Sequence, residues 1–168
     1  RVLRPDWTER AVANLGAALE KHLARRGFDV KRFEPATPAA TEELREVKLL
    51  YEAVGSAIVQ ATIANQFPWK LDRFDYTVGD VGALAAAGGV DALVFVHAVA
   101  NISSGGRVAL QLLGAGGGID WLIVSVVDRT GTVLWFARVY STVCDVRDPD
   151  YAALLVEQAT NRRPRKAR

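Results

Sequence analysis

Asp91-Ala-Leu-Val-Phe-Val-His97, the connection from Gly105 to Gly118, Ile119-Asp-Trp-Leu-Ile-Val-Ser-Val-Val127, Asp128-Arg-Thr-Gly131 and Thr132-Val-Leu-Trp-Phe-Ala-Arg-Val-Tyr140 together decide the fold. They spell strand, Gly-rich connection, strand, tight turn and strand. A four-residue Asp-Arg-Thr-Gly step between two runs rich in β-branched and aromatic residues is a turn signal. So short a turn forces an antiparallel hairpin. The run over 91–100 is apolar at odd and even positions alike, which predicts a central strand buried on both faces.

The flanking sequence supplies covering helices. Asp6-Trp-Thr-Glu9 has the form of a capping box, with Asp6 as N-cap. Val12, Leu15, Leu19 and Leu23 then recur at helical spacing, cations crowd the last turn, and Gly27 offers a stop. The spacing predicts a helix over about 7–26. Phe28-Asp-Val-Lys-Arg-Phe33 alternates and predicts a strand, ended by Pro35 and Pro38. A longer helix follows, with Thr41, Glu42 and Glu43 in or before its first turn. Leu44, Val47, Tyr51, Val54 and Ile58 mark its apolar face, and it extends to about Asn65. Val81 to Ala87 predicts a short helix closed by Gly88 and Gly89. A last helix begins at Pro149 and carries Tyr151, Leu154, Leu155 and Gln158. The expected fold class is α/β: a mixed, partly antiparallel sheet of about four or more strands packed by three to four helices in two or three layers. One domain is expected over 1–160, with a basic flexible tail at 161–168. No segment repeats at a fixed period, which excludes a propeller or solenoid.

Composition narrows the function classes. With 50% hydrophobic and 24% charged residues the chain has an ordinary globular make-up, not a disordered one. Its apolar runs are shorter than the roughly 20 residues a membrane-spanning helix needs. The net charge of +2 is misleading, because Arg162, Arg163, Arg165, Lys166 and Arg168 lie beyond Glu157 with no acid among them. The remainder is net acidic, which argues against a nucleic-acid-binding face. The basic tail could touch phosphates or anionic lipid, although such termini are commonly solvated. The sequence contains no Met, as expected of a processed or trimmed product whose targeting segment is out of view. Cys144 is the single cysteine, so neither an internal disulfide nor a thiolate cluster forms.

Candidate chemistry is sparse. His97 lies mid-strand among apolar neighbours, where a packed histidine is the simpler account than a base or ligand. Asp72, Asp75, Asp80 and Asp91 gather around the loop before the 91–100 strand and could form a carboxylate pair or a hard-cation site. Their spacing fits no EF-hand, and Asp is favoured at caps and turns. Gly114-Ala-Gly-Gly-Gly118 resembles a phosphate loop only superficially, since it lacks Gly-Lys-Ser/Thr and leads into a strand. Ser103 and Ser104 have no nucleophile elbow, Cys144 has no nearby His, and Trp121 and Trp135 suit sheet packing. No catalytic residue, cofactor or metal site is therefore expected. The candidate interaction segment is the connection itself: Gly105, Gly106, Arg107, Leu110, Leu112, Leu113, Gly116, Gly117 and Gly118. It brackets an apolar run with glycines and could dock on a partner or touch a membrane.

Asp91-Ala-Leu-Val-Phe-Val96, Ser104-Gly-Gly-Arg107, Gly116-Gly-Gly118 and Val127-Asp-Arg-Thr-Gly-Thr-Val-Leu-Trp-Phe-Ala-Arg-Val139, in that order, resemble small lipoproteins of the Gram-negative cell envelope. Pro5-Asp-Trp-Thr-Glu-Arg-Ala11 is similar to them too. These proteins are related to the curli-secretion-channel lipoproteins, the lipoprotein activators of penicillin-binding proteins and the amino-terminal domain of the Tol translocation protein. The resemblance covers most of 5–160. It implies an α/β sandwich, export to the periplasm and outer-membrane attachment through an N-terminal lipid anchor outside this chain. It transfers no catalytic residues. The expected function is non-enzymatic: a periplasmic lipoprotein-like domain that binds cell-envelope protein partners, with homo-oligomers a possibility and no nucleic acid involved. The alternatives are an oligomeric secretion or pore component, and a small-ligand or metal-binding enzyme using the Asp72–Asp91 region.

Overall fold

The computed structural model of the chain describes residues 4–63, 75–99, 120–141 and 145–161. Its elements are α1 (Pro5–Ala24), α2 (Pro38–Ile63), α3 (Gly82–Gly88), β1 (Ala92–Val99), β2 (Asp120–Asp128), β3 (Val133–Ser141) and α4 (Pro149–Asn161). Among the described residues the class is α/β, with four helices and one antiparallel sheet of three strands in the order β1-β2-β3. Among the described residues there is no fourth strand and no parallel pairing. Phe28–Phe33 does not form a strand, and Phe28 is exposed. Phe33 instead lays its ring against Gly88 at the end of α3, where an added Cβ would come within 3.4 Å of it. The second correction concerns β1: among the described residues it lies at the edge of the sheet, and β2 takes the centre.

The chain clusters into two compact units. The first takes in Arg1–Val30, Ala98–Leu122 and Val139–Arg162. In it α1 packs along α4, and both helices run in the same direction. Near their starts, Asn14 donates its side-chain amide to the carbonyls of Val146 (3.2 Å) and Arg147 (2.8 Å). The Arg147 guanidinium, held by Asp145, lies 4.0 Å from the centroid of Trp7, and Arg4 lies 4.5 Å from it. Near their ends, Arg26 donates to the Thr160 carbonyl (3.1 Å) and to Asn161 Oδ1 (2.6 Å), which satisfies groups that α4 leaves open at its C-terminus. The capping box does not form. The helix starts at Pro5 with Arg4 in the cap position and no side-chain cap, because Asp6 pairs with Arg4 instead. Gly27, with φ of +85°, is the stop that the sequence predicts. Leu15 and Leu19 are buried as expected, but Val12 is not. In α4 the buried stripe is Ala152, Leu155, Val156, Ala159 and Thr160, while Tyr151 and Leu154 face solvent. Two alanines on the inner face let the helix backbone approach its neighbour closely, and that favours this rotation over one that buries Tyr151.

The second unit takes in Lys31–His97, Ile123–Arg138 and Arg163–Arg168. Thr37 caps α2: its carbonyl accepts from Thr41 N–H and its hydroxyl from Ala40 N–H, with Pro38 at the first helical position. Val47, Tyr51 and Ile58 are buried on the expected face. Tyr51 stacks on Phe95 of β1 (centroids 4.7 Å apart, planes at 20°) and shares a 2.8 Å hydrogen bond with Ser125 of β2. One helical side chain thus grips two adjacent strands.

The β2–β3 turn forms where the sequence places it. Gly131 N–H donates to Asp128 C=O and Asp128 N–H to Thr132 C=O, with Gly131 at φ of +82°: a type I turn closed by a G1 bulge. Asp128 Oδ1 accepts from Thr130 N–H, the Thr130 hydroxyl and Thr132 N–H. These bonds, the Thr130 hydroxyl foremost, hold its carboxyl below the ordinary value of 3.8. The segment before α3 crosses this turn. Val78 N–H donates to Gly131 C=O, Val133 N–H donates to Tyr76 C=O, and Thr77 bridges Thr132 antiparallel. A Cβ on Gly131 would fall 1.6 Å from the Gly79 carbonyl oxygen. Gly131→Ala therefore meets both a left-handed backbone and a backbone clash, and should cost roughly 2–5 kcal/mol. Urea unfolding measures it, and an unchanged midpoint would contradict the crossing.

Candidate functional site

β1 is the element whose chemistry packing explains least. Its sequence, Ala-Leu-Val-Phe-Val-His-Ala-Val, has no Lys, Arg, Asp, Glu or Pro. Burial alternates along it: Phe95 is buried and Leu93, His97 and Val99 are half-buried on one side, whereas Val94 (38% exposed) and Val96 (41%) face out on the other. Among the described residues β2 is its one strand neighbour. The hairpin register sets Ser125 opposite Trp135, and hence Val126 opposite Leu134. Leu134, half exposed, therefore lies on the side of the sheet away from Tyr51, as Val94 and Val96 do. Edge strands are ordinarily guarded by charges, prolines or bulges. This one presents valines.

The carboxylates that the sequence groups before β1 do structural work where they are described. Asp80 Oδ1 accepts the Gly82 N–H at 2.8 Å and so turns the chain into α3. Asp91 pairs with Arg129, whose Nε also donates to the Val90 carbonyl; together they fasten the β2–β3 turn to the start of β1. Asp75 is in the interval, and Asp72 lies outside the described residues. No group of three His, Cys, Asp or Glu side chains is disposed to hold a metal ion among the described residues. The Gly105–Gly118 segment with its nine singled-out residues, Ser103, Ser104 and Cys144 also lie outside the described residues. Among those described, no helix is long and apolar enough to cross a membrane.

Sequence reasoning gave the cations at the end of α1 no role beyond complementing the helix dipole. A groove of about 210 Å³ runs between α1 and α4, lined by Ala18, Lys21, His22, Arg25, Ala153 and Glu157 among others. Thr160 spends its hydroxyl hydrogen on the Val156 carbonyl at 2.7 Å, so His22, 2.8 Å away, donates to it through Nε2. Burial and then the Arg26 charge hold His22 below its ordinary value of 6.5, against Glu157, which raises it. The spacing Lys21-His22-Arg25-Arg26 carried this signal, but dipole complementation accounted for it at first sight.

The buried hydroxyl pair Tyr51–Ser125 joins α2 to β2. Burial pushes the Tyr51 phenol up to about 12, with the Ser125 hydrogen bond opposing the shift. A phenol that holds its proton more tightly is a poorer base at neutral pH and serves here as packing with a satisfied donor.

No family model matches the chain, and no curated protein or solved structure matches it.

Tyr51 yields a pH prediction. Its folded value lies above the ordinary 10.0, so its contribution to stability is complete below pH 10.0 and is lost as pH rises toward about 12. An alkaline spectrophotometric titration should find one tyrosine ionising near the upper value. Tyr51→Phe should abolish that late step. It should also destabilise the fold at neutral pH by about 1–2 kcal/mol, because the Ser125 hydroxyl is left unpaired. Four tyrosines titrating together would refute this placement of Tyr51.

Proposed function

We propose that this chain is a non-enzymatic interaction domain of the Gram-negative cell envelope, and that it meets another polypeptide at the outer edge of β1. The observation that carries the proposal is an uncharged strand that lies at the sheet edge among the described residues and has two exposed valines. An extended segment laid along such an edge gains main-chain hydrogen bonds, and alternate side chains on each face supply selectivity. The occupant that suits β1 best is a second copy of itself. Antiparallel pairing about a two-fold axis sets two identical strands side by side without opposing like charges. It extends two three-stranded sheets into one of six. Val94 and Val96 of each copy then extend a common apolar face toward Leu134.

The envelope assignment is supported by the likeness of Asp91–Val96, Ser104–Arg107, Gly116–Gly118 and Val127–Val139 to the lipoproteins named above. A lipid anchor N-terminal to Arg1 and a periplasmic location are part of the same proposal. The structural employment of Asp80 and Asp91 favours this function over an enzyme built on the Asp72–Asp91 region.

Sedimentation across a concentration series tests it. The chain should associate reversibly into dimers. Val96→Lys, which puts an ammonium on the exposed face of the edge, should weaken association by about tenfold or more without altering the circular dichroism. A chain that stays monomeric throughout, or a Val96→Lys variant that dimerises as before, would overturn the assignment of β1.

A further inference from the structure

The C-terminal end of α1 combines two features that no internal role joins. Lys21 and Arg25 are exposed, and neither forms an ion pair with another described residue. Arg26 reaches the Thr160 carbonyl and the Asn161 side chain of α4. One turn further on, past the left-handed Gly27, Phe28 stands 61% exposed, with its N–H tied back to the Leu23 carbonyl at 3.2 Å. Dipole complementation explains cations at a helix C-terminus. It does not explain an aromatic ring held out in water beside them.

We infer that this end of α1 is a contact site for an anionic lipid bilayer, with Lys21 and Arg25 on the headgroups and Phe28 in the headgroup–acyl boundary. Basic side chains flanking a protruding aromatic are the composition that interfacial binding requires. Each cation near a negatively charged surface strengthens binding, and a single lipid chain holds a protein only marginally without such a second signal.

Two other anions suit the site less well. A small free phosphate would sit in the α1–α4 groove, where Glu157 repels it. A nucleic acid would bring an extended polyanion up to a body that is net acidic apart from the tail. A bilayer needs only one cationic end with a hydrophobe at its tip.

The site belongs to α1 and α4 and does not rest on the edge of β1. Co-sedimentation with vesicles tests it on the full chain. Vesicles of phosphatidylcholine with phosphatidylglycerol should retain the protein, and phosphatidylcholine alone should not. Salt should release it. Lys21→Glu combined with Arg25→Glu should weaken binding by about tenfold or more, and Phe28→Ser should weaken it while keeping the salt dependence. All three positions are on the surface, and circular dichroism checks that each variant folds. Equal binding to neutral vesicles, or full binding by the doubly reversed variant, overturns the inference. So does displacement from vesicles by inorganic phosphate or by a single-stranded oligonucleotide at matched ionic strength.

Discussion

The passage of the Gly79 carbonyl across Gly131 is the constraint on which the second unit depends. The 1.6 Å that would separate an added Cβ from that oxygen admits only glycine. The crossing joins three parts of the sequence at one point: the chain entering α3, the β2–β3 turn and the first residue of β3. Arg129, inside the same turn, then reaches the start of β1 through Asp91 and the Val90 carbonyl. All strand starts and ends that meet there are thus set by one tight turn and the bonds around it. Exposed ion pairs contribute little individually, so Arg129 and Asp91 fix register more than they add stability. The stabilising mass lies in Tyr51, Ile58, Val78, Val81, Leu84 and the inner residues of β2, all fully or nearly buried.

What could be read from sequence follows from how local each signal is. The Asp128–Thr132 hairpin was legible because turn chemistry and strand composition act within a few residues. The face of α2 was legible because a 26-residue helix repeats its pattern several times. The Gly27 stop needs only a left-handed residue at the right place. The failures share a different cause. Phe28–Phe33 alternates well enough for a strand, yet the ring of Phe33 packs on Gly88 instead. Asp6 could have capped α1, but Arg4 two residues earlier captured it. In α4 the large apolar residues pointed to one face, while the alanines that permit close helix packing defined another. Each outcome was decided by a partner distant in sequence or by a competing neighbour.

β1 shows why the candidate site was only half legible. Apolarity at every position signals burial on both faces, and a strand that docks a partner carries the same composition as a central one. Sequence therefore placed β1 at the centre of the sheet and put the candidate site in Gly105–Gly118 instead. The observed order moves it to the edge and turns the same residues from core into surface. The basic end of α1 is the converse case. There a local rule, cations at the helix C-terminus, was satisfied so readily that the adjacent exposed Phe28 passed for part of a strand.

The two proposed surfaces differ in a way that would make their functions separable. The edge of β1 has no charge, so whatever pairs with it is held by main-chain hydrogen bonds and apolar burial, and salt affects that association little. The end of α1 is charged and exposed, so its binding is screened at high ionic strength. Interaction at β1 should also be sensitive to register, since a one-residue slip would turn the partner's alternate side chains to the wrong face of the sheet. Contact at α1 has no register at all: a fluid lipid surface adapts to the cations it meets. On the two proposals, a strand-pairing edge would supply specificity and a cationic, aromatic-tipped helix end would supply location, and neither would need the side chains of the other.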